Sequence, residues 1–279
     1  MTSNNRFDRT RNAPKGVTGL FGNKKKLTAL LALFASLALW WLIWWIAAKT
    51  VGVSFILPSP TEAFAAFFAL LPQKLFWQAV LGSLARIAVG YALGVAFGAL
   101  IAFAGHFIEP IGVFFSPLIK IARATPVASF ILICALWMSS DVTPIFISFL
   151  MVFPIVYENT LTGLKQTSTE LIELTAAYRF SPIKRLKLLY IPSAAPYVGS
   201  ACMTSVGLAW KSCVSAEVLI VTAKSVGYYV YTSKLYFETE QLFAWTVAIV
   251  ILSVLLEYSV KLIARLFKYL TERRYSYAE

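Results

Sequence analysis

The chain of 279 residues is 59% hydrophobic and 15% aromatic, is only 14% charged and has a mean hydropathy of +0.72; a soluble domain averages about 45–50% apolar, so a water-soluble globular fold is excluded. The formal charge of +12 arises from 25 Lys and Arg against 13 Asp and Glu, and the positions of those cations assign it to membrane orientation rather than to nucleic acid. Cys134, Cys202 and Cys213 all lie in apolar stretches without metal-ligand or CxxC spacing, so they define neither a metal centre nor a redox compartment.

Residues 1–26 are polar and basic and read as a disordered cytoplasmic tail. A first membrane span follows at 27–48, "LTALLALFASLALWWLIWWIAA". Its apolar run exceeds the roughly 7–15 residues of a signal-peptide core, and it ends in an interfacial tryptophan cluster, Trp40, Trp41, Trp44 and Trp45. The segment "LPSPTEAFAAFFALLPQ" then carries helical apolar periodicity over 63–71 and reads as an amphipathic helix at the membrane surface.

Five further windows reach the roughly 20 residues needed to cross the hydrocarbon core: 80–107, 111–138, 143–164, 194–220 and 242–267, followed by a tail at 268–279. In the first of these, Gly90, Gly94 and Gly98 recur every fourth position, a small-residue face that lets another helix approach closely. The second is interrupted by Pro117 and Pro126 and carries Lys120 and Arg123; the fourth carries Lys211 and Glu217. Charged or irregular segments at membrane depth line a cavity or pack against protein, because each such charge costs about 3 kcal/mol in lipid.

With six spans both termini share a side. Seven Lys and Arg in the N-terminal tail, five in 165–192 and five from Lys261 onward put seventeen on that side, against Lys49, Lys74, Lys224 and Lys234 opposite. The positive-inside rule makes the termini and the 165–192 loop cytoplasmic. The single histidine, His106, falls at a cytoplasmic helix end.

That loop contains "ELTAAYRFSPIKRLKLLYIPSAAP", residues 173–196. Thr167 with Glu170 has capping-box spacing, so a helix is expected from Ser168 through Arg179. Ser181 followed by Pro182 caps a second one, in which Ile183, Leu186 and Tyr190 share a face away from Lys184, Arg185 and Lys187. Pro192 is expected to end it. An elbow of this size exceeds the usual two to eight residues of a helix connection, and it reads either as a docking surface for a soluble partner or as a basic helix on anionic lipid.

The block resembles the EAA loop of permease subunits of binding-protein-dependent ABC importers: Glu173 takes the glutamate position, Leu174 and Thr175 stand where the alanines would be, and Pro192 takes the final proline. The usual glycine is Arg179, which should not adopt a positive φ cheaply, so the turn is expected to be made by Ser181 and Pro182 or with altered docking geometry. The resemblance spans 77–267 and is nearest to the nitrate, sulfonate and taurine branch, through "GSLARIAVGYALG", "IARATPVASFILICALW" and "GLAWKSCVSAEVL", with Arg123, Pro126, Trp210 and Glu217 on its familiar positions. It implies an all-α polytopic protein with a MetI-like permease core of five helices preceded by one more. It also implies a second permease chain, most simply a homodimer, cytosolic ABC ATPase subunits, an external solute-binding protein and a bacterial inner membrane.

The chain has no GxxxxGK[ST] phosphate loop, no cofactor motif and no nucleophile–base set, so ATP is expected to be bound by the partner subunit and no enzyme activity is expected. Glu173, Leu174, Thr175, Arg179, Ser181, Pro182 and Pro192 are the candidate ATPase-coupling residues, and Arg123, Lys211, Glu217 and Trp210 the candidates along the solute path. Arg123 and Lys211 would attract a small anion such as nitrate, a sulfonate or taurine, or else Glu217 and Glu158 neutralise them within the bundle. Tyr228, Tyr229 and Tyr231 fit a landing surface for the binding protein or an interfacial aromatic belt. A vitamin precursor or other heterocycle is the alternative solute, and an ATP-independent secondary transporter the alternative class, although no inverted repeat is found.

Overall fold

The computed structural model describes the backbone of residues 17–276 and side chains of 28 and 30–265. Parts of both expected tails, 1–16 and 277–279, lie outside the described residues. Two compact units divide at Pro60.

The first unit contains α1, Val17–Val51, which begins within the expected tail. Its large apolar side chains, among them Leu31, Phe34 and Trp40, are exposed, as a helix with lipid for solvent requires. Gly52, at φ +70°, ends it in the left-handed region open to glycine, and Trp44 Nε1 donates to Pro58 O at 3.1 Å.

The second unit is a helical bundle: α2 (Pro60–Leu70), α3 (Lys74–Phe107), α4 (Glu109–Ala124), α5 (Val127–Ala135), α6 (Val142–Lys165), α7 (Thr169–Ala177), α8 (Pro182–Arg185), a π turn over Leu186–Tyr190, α9 (Ile191–Ile220), α10 (Val226–Leu235) and α11 (Thr239–Ser276). The surface helix expected at 63–71 is α2, but Phe67 and Leu70 pack into the bundle in one cluster with Phe76 and Trp245, while Phe68 stays exposed. The broken span is α4 and α5, which meet at 105°. The bend falls at Thr125–Pro126, where proline pushes its predecessor into the extended region; Pro117 sits inside α4 without breaking it.

The glycines at 90, 94 and 98 lie against α6. A Cβ on Gly94 would stand 2.7 Å from Val152 Cβ, one on Gly98 2.9 Å from Val156 Cβ, and one on Gly90 2.8 Å from Ser148 Cβ. Small and β-branched side chains on α6, spaced four apart, fill the groove that the glycines leave. α9 closes the same layer with Ala201, Ala209, Trp210, Cys213 and Val214 against Ile87, Val152 and Val156.

Among the described residues four helices, α1, α3, α6 and α11, are long and apolar enough to span a membrane, and the bent α4–α5 pair makes five. The expected sixth, α9, has the length, 30 residues, but falls outside that set. Its hydroxyl residues, Lys211 and Glu217 lower its hydropathy, and its inward face is buried in protein, where an apolar surface all round is not required.

Candidate functional site

The block after α6 folds from local signals. Ser168 Oγ, not Thr167, accepts from Leu171 N and caps α7; the capping-box reading was one residue early, and Thr167 is buried instead. α7 ends in a Schellman motif, with Phe180 N donating to Thr175 O at 3.0 Å and Arg179 N to Ala176 O at 2.9 Å. The residue that turns is Arg179 itself, at φ +51°. The expectation that Ser181 and Pro182 would replace this turn is therefore corrected: two capped carbonyls outweigh a left-handed cost of about 1–2 kcal/mol. Ser181 then caps α8 through Lys184 N, with Pro182 in its first turn.

Pro192 does not end this helix. The chain shifts register through the π turn, where Ile191 N donates to Leu186 O, and Pro192 falls in the first turn of α9, where a missing N–H is tolerated. The elbow is thus continuous with α9. It presents Leu171, Leu174, Tyr178, Ile183 and Leu188 to solvent beside Glu173, while Thr175 and Leu189 anchor it inward. Tyr197 also donates to Gln166 Oε1, tying α9 to the start of the block.

Of the four residues expected along the solute path, two do not reach the surface. Trp210 is fully buried and its Nε1 donates to Ile249 O at 3.1 Å, joining α9 to α11. Glu217 is fully buried as well. Arg123 pairs with Glu158, both partly exposed. Lys211 is exposed and has no ion pair among the described residues. It lies on a stripe of α9 with Ser200, Thr204, Leu208 and Ser215, all exposed and spaced to share one face. Near the block, a cleft of about 780 Å³ lies between α3, α4 and α6 and is lined by His106, Glu109, Lys120, Glu158 and Lys165. Of the three tyrosines, Tyr229 stacks on Trp245 at 5.1 Å, leaving Tyr228 and Tyr231 half-buried; Tyr236 and Phe237 are the exposed rings.

Residues 94–269 match the family of binding-protein-dependent transport system inner membrane components. The chain belongs to this family. Similar permeases include the putative aliphatic sulfonates transport permease protein SsuC of Bacillus subtilis, 25% identical over 211 residues, 75% of this chain and 76% of that one. The taurine transport system permease protein TauC of Escherichia coli is 23% identical over 80% of this chain and 83% of its own. The bicarbonate transport system permease protein CmpB of Synechocystis sp. is 30% identical over 58% of each. The MetNI methionine ABC transporter in inward facing conformations shares the fold at TM-score 0.56 and 18% identity, over 71% of this chain and 96% of the compared one. An amino acid ABC transporter does so at 0.53 and 16%, over 78% and 98%. The permease is a transport component and not an enzyme.

Sequence reasoning missed how the permease uses Glu217. It pairs with neither Lys211 nor Arg123. Ser83 Oγ donates to Glu217 Oε2 at 2.7 Å, Gly227 N to the same oxygen at 3.3 Å, and Arg86 Nη1 to Oε1 at 3.4 Å. Ser83 Oγ in turn accepts from Val226 N at 3.0 Å. Arg86 also reaches Asp141 Oδ1 through Nη2 at 2.8 Å and Ala223 O at 3.3 Å. This knot sits near the far end of α9 from the block, with Glu217 about 40 Å along the helix from Tyr190. Removing a partner from the buried carboxylate would cost about 3–5 kcal/mol, whereas the Arg86–Asp141 pair, with Asp141 74% exposed, is worth about 0–1 kcal/mol. The available signal was Ser83 and Arg86 one helical turn apart on the face of α3 that also carries Gly90.

Proposed function

We propose that this permease forms the solute path of an ATP-driven importer and is coupled to cytosolic ATPase subunits through 168–190, with both termini and this block in the cytoplasm. The observation that carries the reading is the elbow's exposed face. Leu171, Leu174 and Tyr178 are exposed at spacings that share one side of the α7 segment, and Ile183 and Leu188 are exposed in the part that follows. All lie on an elbow capped at both helix starts and continuous with α9, and they are apolar surface that water alone does not favour. A soluble partner seated there moves α9 directly, and α9 carries Lys211.

The transported solute is a small anion. The three relatives carry, by their names, sulfonates, taurine and bicarbonate. Glu158 offsets Arg123, whereas Lys211 has no ion pair among the described residues and lies on a largely polar face at membrane depth, where such a face lines a water-filled cavity or packs on protein. Two copies of the chain facing each other across this stripe would enclose that path.

Affinity purification from the native membrane in mild detergent tests the coupling. A phosphate-loop ATPase should co-purify with the wild type and be lost on deleting 170–190, and Glu173→Lys should separate ATP hydrolysis from uptake in an assembled complex. Unchanged uptake by assembled Glu173→Lys would sink the proposal.

A further inference from the structure

The knot around Glu217 has two halves of different character. One half is sealed: Glu217 and Ser83 are fully buried and joined to the backbone of Val226 and Gly227, and a Cβ on Gly227 would collide with the Glu217 backbone. That half welds α3, α9 and α10 together. The other half faces solvent. Arg86 reaches across it to Asp141, in the link between α5 and α6, and Thr222 Oγ1 donates to Ser140 O at 2.9 Å beside it.

Between the halves runs 221–225, and it is strained. Val221 and Lys224 both lie in the left-handed region, at φ +57° and +52°, although neither is glycine and valine is β-branched. Thr222 N on Glu217 O, Arg86 on Ala223 O and Ser225 Oγ on Thr222 O hold the segment in that shape. Strain of this kind persists only where the surroundings over-determine it, and it collects at switch regions.

We propose that Arg86 is a positioning residue of the transport cycle. Through Asp141, and beside the Thr222–Ser140 bond, it clasps the link before α6 to the strained segment 221–225, and release of these two contacts, with the Glu217 half still closed, lets the outer end of the bundle open. The weld keeps α3 and α9 in register while the link, at the end of the bent α4–α5 span, moves away from them. Asp141 is the releasable member because its carboxylate exchanges the guanidinium for water, an exchange closed to Glu217.

This inference rests on the transport reading and its orientation, and the test separates the two. The permease, assembled with its ATPase and binding protein in proteoliposomes, is compared as wild type, Asp141→Asn and Asp141→Glu. ATP hydrolysed per solute imported is measured in each. A cysteine placed by Thr143→Cys, two residues past Asp141 and fully buried while the clasp is closed, reports opening by its labelling rate with a membrane-impermeant maleimide, without ATP and after vanadate trapping, against a parent lacking that cysteine. The clasp predicts that labelling differs between the two states in the native background. In Asp141→Asn that difference is lost and ATP is consumed without import, and Asp141→Glu recovers both. A wild-type ratio and state-dependent labelling in Asp141→Asn would overturn it, as would Asp141→Glu behaving no better than Asp141→Asn. Should Asp141→Asn fail to assemble, equal labelling of Thr143→Cys in both states of the otherwise native complex would overturn it. A wild-type complex that imports nothing with ATP sinks the transport reading and the clasp with it.

Discussion

Replacing Gly94 by alanine adds one methyl group at a tight point between α3 and α6. Its Cβ would stand 2.7 Å from Val152 Cβ, 2.9 Å from Val152 Cγ1 and 3.1 Å from Phe149 O, where ordinary contact is 3.4–4 Å. The helices would have to part by the difference between 2.7 and 3.4–4 Å, about 0.7–1.3 Å, and Val152, fully buried, has no room to swing aside. Overpacking of this kind costs about 1–3 kcal/mol. Alanine also gains about 0.5–1 kcal/mol over glycine in any helix, so the clash is isolated by comparison with Gly199→Ala on α9, where an added Cβ meets nothing within 4 Å. Reversible unfolding in mixed micelles should place Gly94→Ala below Gly199→Ala by about 1–3 kcal/mol. Adding Val152→Ala should recover part of the loss, with a coupling above about 0.5 kcal/mol. Equal stabilities of the two alanine variants, or strict additivity with Val152→Ala, would refute the close packing of these helices.

Arg179→Gly removes a left-handed side chain from the Schellman turn and should raise the unfolding free energy by about 1 kcal/mol, with Arg179→Val moving it the other way; a protein destabilised by glycine would show that the arginine side chain holds the elbow. Trp210→Phe loses the bond to Ile249 O, about 0.5–1.5 kcal/mol, and should be less stable while importing solute with an unchanged KM; a raised KM would put the indole back on the solute path. Lys211→Gln should slow uptake of an anionic solute more than Arg123→Gln does, because Glu158 already offsets Arg123. Equal uptake by both variants and the wild type would remove the anion field. Arg123→Gln should leave unfolding within about 1 kcal/mol of wild type, since its pair with Glu158 is partly exposed.

Much of the elbow was legible because its signals are local. Ser181 and Pro182 act through the next three residues, so their cap could be read without knowing any neighbour, and the Thr167–Ser168 ambiguity is one residue wide. Pro192 was misread for the opposite reason: its effect depends on whether the preceding helix can change register, and the π turn that permits this depends on the packing of Leu189 and α9. Arg179 shows the same limit, since propensity opposes its φ and only the summed hydrogen bonds of the turn decide it.

Membrane insertion, the helical fold, the kink at Pro126 and the close-packing potential of Gly90, Gly94 and Gly98 follow from composition and spacing alone, because lipid imposes them on any chain of this pattern. Partner choice did not follow. That Glu217 meets Ser83 and Arg86 rather than Lys211, and that Trp210 is a strut between α9 and α11 rather than a lining residue, depends on which helix faces which. Side chains more than a hundred positions apart are brought together only by the packed bundle, and a buried carboxylate takes whichever donors that packing delivers.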